Sequence, residues 1–136
     1  MSDVNNVFDV GLRAMSAQMV RMNTVASNLA NAGTVSGSAE TAYRAIRPVF
    51  ETVYSQEVDS LATAAATSVE MLDREPEKMF RPDHPAADAE GFVYKSTVNP
   101  EEEMVEMMEA SRQYQNTLEA ISTMRELMVR TVNMGK

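Results

Sequence analysis

Cysteine and tryptophan are missing from this 136-residue chain, and histidine occurs once. Without cysteine there is no disulfide, no thiolate nucleophile and no thiolate metal site. The single imidazole, His84, excludes multi-histidine metal centres and leaves one base for any triad. Positive charge is scarce too: 12 basic residues stand against 20 acidic ones, a net charge of −8. That balance carries no electrostatic footprint for nucleic acid or anionic lipid. Long apolar runs are also lacking, and nothing approaches the roughly 20 residues needed to cross a bilayer. Residues 1–6 hold no Lys or Arg, and no continuous apolar stretch follows them. The expectation is a protein made without a cleaved signal peptide and without direct membrane insertion. No cofactor, metal site or enzymatic activity is expected.

What is present is methionine, 12 of them, and two amphipathic stretches. From Phe8 the apolar residues Leu12, Met15, Met19, Met22, Ala26 and Leu29 follow in steps of four and three, the spacing of one helical stripe. Ser2, Asp3 and Asn6 are possible caps at its start, and Gly33 suits a left-handed turn at its end. A second helix is announced by Asn99-Pro100-Glu101-Glu102, with Asn99 as N-cap, Pro100 in the first turn and Glu102 at the reciprocal position of a capping box. Its stripe reads Met107, Tyr114, Leu118, Ile121, Met128 and Val132, with Ser111 and Arg125 as breaks. Between the helices, Tyr43–Tyr54, Thr67–Leu72 and Gly91–Lys95 read as short β runs, and Val35–Thr41 as a flexible surface loop.

The expected fold is mainly α with a small β module. The N- and C-terminal helices pair as a coiled-coil-like hairpin, and short strands and loops are inserted between them. Its parts are residues 1–34, the N-terminal helix; 35–98, a loop-rich β module; and 99–136, the C-terminal helix. Acidity concentrates in the middle, where residues 36–100 carry 11 acids and 6 bases.

The faces opposite the stripes are unusual for helices in water. Between Val10 and Ala32 the only charges are Arg13 and Arg21, where a solvated helix would carry Lys and Glu. Small and amide side chains fill the rest, among them Asn28, Ala30 and Asn31, and Gln115 and Asn116 continue the theme in the second helix. Helices of this kind are expected to be enclosed by other subunits and weakly ordered in a free monomer. Glu101, Glu102, Glu103, Glu106 and Glu109 form an acidic cluster that is read as complementing a helix N-terminus. His84, between Pro82-Asp83 and Pro85 with Asp88 nearby, is read as part of a rigid turn rather than as a general base. Gly33 and Gly37 do not make a phosphate loop.

Two segments carry a resemblance. Val25-Ala26-Ser27-Asn28-Leu29-Ala30-Asn31-Ala32-Gly33-Thr34, followed by Tyr43-Arg44-Ala45, resembles the N-terminal motif of bacterial flagellar basal-body rod proteins. Pro82-Asp83-His84-Pro85-Ala86-Ala87-Asp88-Ala89-Glu90-Gly91-Phe92-Val93, Val98-Asn99, Glu103-Met104-Val105 and Glu109-Ala110-Ser111-Arg112-Gln113-Tyr114-Gln115 extend it over nearly the whole chain. The run from Gly33 to Tyr43 departs from the family pattern by its length and its lack of proline. The resemblance implies a structural rod subunit of the basal body, in the periplasm, exported by the flagellar apparatus, its terminal helices packed in a tubular wall that transmits torque and encloses the export channel. Implied partners are further copies, the rod proteins FlgB, FlgF and FlgG, the adaptor FliE and the export apparatus. Asn28, Ala30, Asn31, Arg112, Gln115 and Asn116 become subunit-interface candidates. The other reading is a soluble helical adaptor or chaperone-like protein that binds an amphipathic partner helix through its Met-rich stripe.

Overall fold

The computed structural model describes residues 2–54 and 62–135, with side chains for 7–51 and 68–135. Helix α1 spans Ser2–Asn31 and helix α2 spans Pro100–Met134, and between them lie β1 (Val35–Ser36), β2 (Ile46–Tyr54), β3 (Ala62–Met71), β4 (Lys78–Phe80) and β5 (Phe92–Lys95). The molecule is mainly helical with a small β module. The helices run antiparallel, since Asn28 meets Glu103, Arg21 meets Glu106 and Gly11 meets Ile121.

The strands form two small antiparallel sheets. β2 and β3 make a hairpin whose register, Ile46 opposite Met71 to Tyr54 opposite Ala62, shifts between Val49 and Phe50. A two-stranded ribbon is marginal in water, and this one is packed on α1. The second sheet has the order β1-β5-β4. Its outer strands were not foreseen. Val35 and Ser36 pair with Lys95 and Tyr94, so the segment expected to be a surface loop begins as a sheet strand. Beyond it, Thr41 bonds Ser36 and Ser38 through its hydroxyl, and Ala42 N–H reaches Ser38 O at 3.2 Å.

Asn99 caps α2, its Oδ1 accepting from Glu101 N–H at 3.0 Å and Glu102 N–H at 3.4 Å. Glu102 answers through the Asn99 side-chain amide, not through its backbone N–H. The other end differs from expectation. Gly33 is not left-handed; among the described residues the one glycine with positive φ is Gly91, at 82°. α1 closes instead with short backbone bonds, Ala32 N–H to Leu29 O and Thr34 N–H to Asn31 O, and with the Thr34 hydroxyl on Asn31 O at 2.8 Å. A threonine hydroxyl satisfies the terminal carbonyl, so no left-handed residue is required. Gly91 has that left-handed backbone, and glycine suits it doubly, since an added Cβ would lie 3.0 Å from Phe80 Cε2 and 3.1 Å from Pro82 Cβ. For the helix start, α1 already runs at Ser2, and the side chains of Ser2, Asp3 and Asn6 lie outside the described residues.

Candidate functional site

Two features of the helix pair matter: a polar clamp where it joins the β module, and a face it leaves uncovered. The clamp is built on Asn28, which has no exposed surface. A buried amide must find partners for both ends. Its Oδ1 accepts from Ile46 N–H at 3.0 Å and from the Tyr43 hydroxyl at 3.2 Å. Its Nδ2 donates to Ile46 O at 2.9 Å and to Glu103 Oε2 at 3.1 Å. Toward Ile46 the side chain therefore behaves like an adjoining strand residue, exchanging both backbone bonds and tying the start of β2 to α1.

Glu103, 1 % exposed, takes Arg47 of β2 on its other oxygen at 2.6 Å. A carboxylate this deep is held by a partner charge and a hydrogen bond together. On either side of it Glu102 takes Arg74 at 2.9 Å and Glu106 takes Arg21 Nε at 2.9 Å. Three consecutive acids of the cluster are thus docked by arginines from the β3–β4 connection, β2 and α1. The dipole reading was incomplete: it explains why acids gather at a helix start, and says nothing of which cation each receives. Beneath the clamp lies the small core of Ala32, Ala45 and Val98, with Tyr43 and Leu72 against it. Ala45 N–H bonds Thr97 Oγ1 and Thr97 N–H bonds Tyr43 O.

Further along, the helices touch through small residues. A Cβ on Gly11 would stand 2.5 Å from Ile121 Cδ1, and Ala17, Thr24, Val25 and Ala110 are buried. This line is rotated from the expected seam. Leu12 is 60 % exposed and Met19 50 %, Ala26 is exposed, and Phe8, Met15, Met22 and Leu29 are half-buried. On α2, Leu118 and Val132 are exposed, while Met107, Tyr114, Ile121 and Met128 are half-buried. Leu12, Met19, Ala26, Leu118 and Val132 are therefore corrected from buried seam to surface. The missing side chain of Gly11 allows the closer approach to Ile121 and leaves larger residues beside the contact.

The two exposed stripes share one side of the pair. In antiparallel helices, positions displaced in the same rotational sense from the contact line fall on the same flank. Leu12, Met19 and Ala26 are displaced in that sense on α1, and Met104, Met108 and Leu118 on α2. Ala30 is exposed on the same flank; Asn31 is half-buried and Arg112, Gln115 and Asn116 are exposed. Asn31 Nδ2 bonds back to Ser27 O at 2.9 Å. Glu109 accepts from Gln113 at 2.9 Å and pairs with Arg112 at 3.0 Å. The Gln113 hydrogen bond, then the Arg112 charge, hold its carboxyl below the usual range. Asn28 is corrected from interface candidate to interior clamp, because nothing outside the chain can reach it.

His84 Nδ1 accepts from Ala86 N–H at 3.1 Å, and Asp88 Oδ1 accepts from Glu90 and Phe92 N–H. Both side chains close turns. Among the described residues no group of three or more His, Asp or Glu is placed to hold a metal ion, and no helix is long and apolar enough to cross a membrane.

The class these features define is a structural one: a helix pair clamped to a β module, with an uncovered apolar flank. Two family models match the chain, "Flagella basal body rod protein" over residues 8–36 and "Flagellar basal body rod FlgEFG protein C-terminal" over residues 89–134. Similar curated proteins include the flagellar basal-body rod protein FlgC of Escherichia coli O6:H1 and that of Salmonella typhimurium. Each is 38 % identical, covering 96 % of this chain and 97 % of the relative. FlgC of Aquifex aeolicus is 36 % identical over the full length of both chains. The chain belongs to the flagellar basal-body rod protein family, in its FlgC group. It is a structural rod subunit, and the helix-binding adaptor reading finds no support in these relatives.

Proposed function

We propose that the terminal helices assemble side by side with those of neighbouring subunits in a tubular rod wall. The uncovered flank that bears Leu12, Met19, Ala26, Ala30, Met104, Met108 and Leu118 is the principal contact. The observation that carries this is the mismatch between pattern and packing: a periodic apolar stripe on each helix, left open by the chain's own fold. Exposed contiguous apolar surface marks an interaction site. Gln115, two turns beyond Met108, is a candidate polar contact on the same flank, and Arg112 and Asn116 are candidates on a second side. The acidic β module stays solvated on the outer side of the wall, which transmits torque and encloses the export channel. Partners in this reading are further copies, FlgB, FlgF and FlgG, the adaptor FliE and the export apparatus, with the assembled protein in the periplasmic part of the basal body. Catalysis has no part in it.

Ala30→Glu places a charge on the flank without touching the clamp. The variant is expected to be expressed and to keep the monomer's melting curve, while cells carrying it form no rod and do not swim. Normal motility with Ala30→Glu in the rod would overturn the proposal.

A further inference from the structure

The flank proposed above is rich in one chemically distinctive side chain. Nine methionines lie on the two helices, three on α1 and six on α2; Met19, Met104 and Met108 are 50 %, 56 % and 65 % exposed, and Met134, at the far end of α2, is 87 % exposed. Met15, Met22, Met107, Met124 and Met128 are only half-buried in the same helices. With no cysteine in the chain, no thiolate competes for an oxidant, so the thioethers are its most readily oxidised groups. We infer that Met19, Met104 and Met108 form an oxidation site, reversible by reduction, that controls whether a free subunit can join the rod. This rests on the reading of the flank as the assembly contact.

The chemistry needs a two-electron oxidant of the hypochlorous acid class. The methionine sulfur attacks chlorine and displaces hydroxide, and water then replaces chloride at sulfur. The net change is thioether plus HOCl to sulfoxide plus chloride and a proton. Sulfur loses two electrons and chlorine gains them. The product is polar and a strong hydrogen-bond acceptor where the packed contact requires an apolar, pliable group. Two thiols reverse it, taking the oxygen away as water and leaving a disulfide. On α2, Met104 and Met108 are one turn apart, so both sulfoxides would disrupt the same patch. Met71, 73 % exposed on β3, is equally open to the oxidant but lies off the helices. It reports the dose without belonging to the contact.

The test treats the full-length monomer with a limiting dose of hypochlorite and maps oxygen addition by peptide mass spectrometry. Expected is early oxidation of Met19, Met71, Met104, Met108 and the 87 % exposed Met134, later oxidation of the half-buried methionines, and incorporation into rods reduced about tenfold or more. Methionine sulfoxide reductase should restore incorporation. A Met19→Leu/Met104→Leu/Met108→Leu variant should assemble normally and keep assembling after the same dose. Undiminished incorporation of the oxidised wild-type chain, or equal loss in the triple variant, would overturn the inference. If Ala30→Glu blocks assembly while the oxidised chain assembles, the inference alone fails. If both assemble, the reading of the flank fails with it.

Discussion

The two ends of the helix pair are held by different physics. At the clamp, Asn28 and Glu103 are fully paired by groups from α1, α2, β2 and the Tyr43 segment. Toward the free end Gly11 meets Ile121, and the buried Gln18 Oε1 has no hydrogen-bond partner among the described residues. The clamp is specific because a buried polar group tolerates only one arrangement that satisfies it. The free end depends on close approach, which is weakly directional. A subunit organised this way has a base fixed by paired polar groups and a stalk held by the close approach of small side chains.

The largest expected effect breaks the clamp. Arg47→Ala leaves the Glu103 carboxylate buried without its cation and should cost about 3–5 kcal/mol, read as a large fall in melting temperature. Glu103→Gln, which keeps the shape and the Asn28 contact, should cost less than Arg47→Ala. Equal stability of Arg47→Ala and wild type would mean that the junction is not held electrostatically.

Amide exchange on a dilute monomer sharpens the contrast. Residues 22–32 and 102–110 should exchange about a hundredfold more slowly than 7–14 and 122–132. Uniform protection along both helices would remove the distinction between base and stalk. A smaller effect is expected at the close approach, where Gly11→Val forces Ile121 aside and should cost about 1–3 kcal/mol. An unchanged melt for that variant would show that the stalk ends already separate freely. Smallest is Gly33→Ala. Gly33 has no atom within 4 Å of an added Cβ and no positive φ, so the change should stabilise by a few tenths to about 1 kcal/mol, chiefly by restricting the unfolded chain. A loss of stability there would restore the left-handed turn that the sequence suggested.

Much of this was legible in the residues. The α2 cap at Asn99, both helices, the strands near Ile46–Tyr54 and Phe92–Lys95, and the family all follow from local chemistry or from quoted motifs. Strands β1 and β4 were not legible, because two or three residues carry no period and their pairing with β5 is a long-range event. Arg47, Arg21 and Arg74 were missed as partners of Glu103, Glu106 and Glu102 for a related reason. Nothing in a linear spacing says which arginine a folded chain brings to which acid. The signal that existed was an Asn in an otherwise small, uncharged helix segment and a Glu repeated beyond what a helix start needs.

Periodicity determined that each terminal segment is a helix with an apolar stripe, and composition determined that the remaining surface of α1 carries few charges. Neither could say which stripe the chain spends on itself. That was decided in three dimensions, where Gly11 lets α1 approach Ile121 and Asn28, Glu103 and Arg47 tie the helices to β2. Close packing of small residues with a satisfied polar clamp prevailed over burial of Leu12, Met19 and Leu118, and left those side chains exposed on the helix pair.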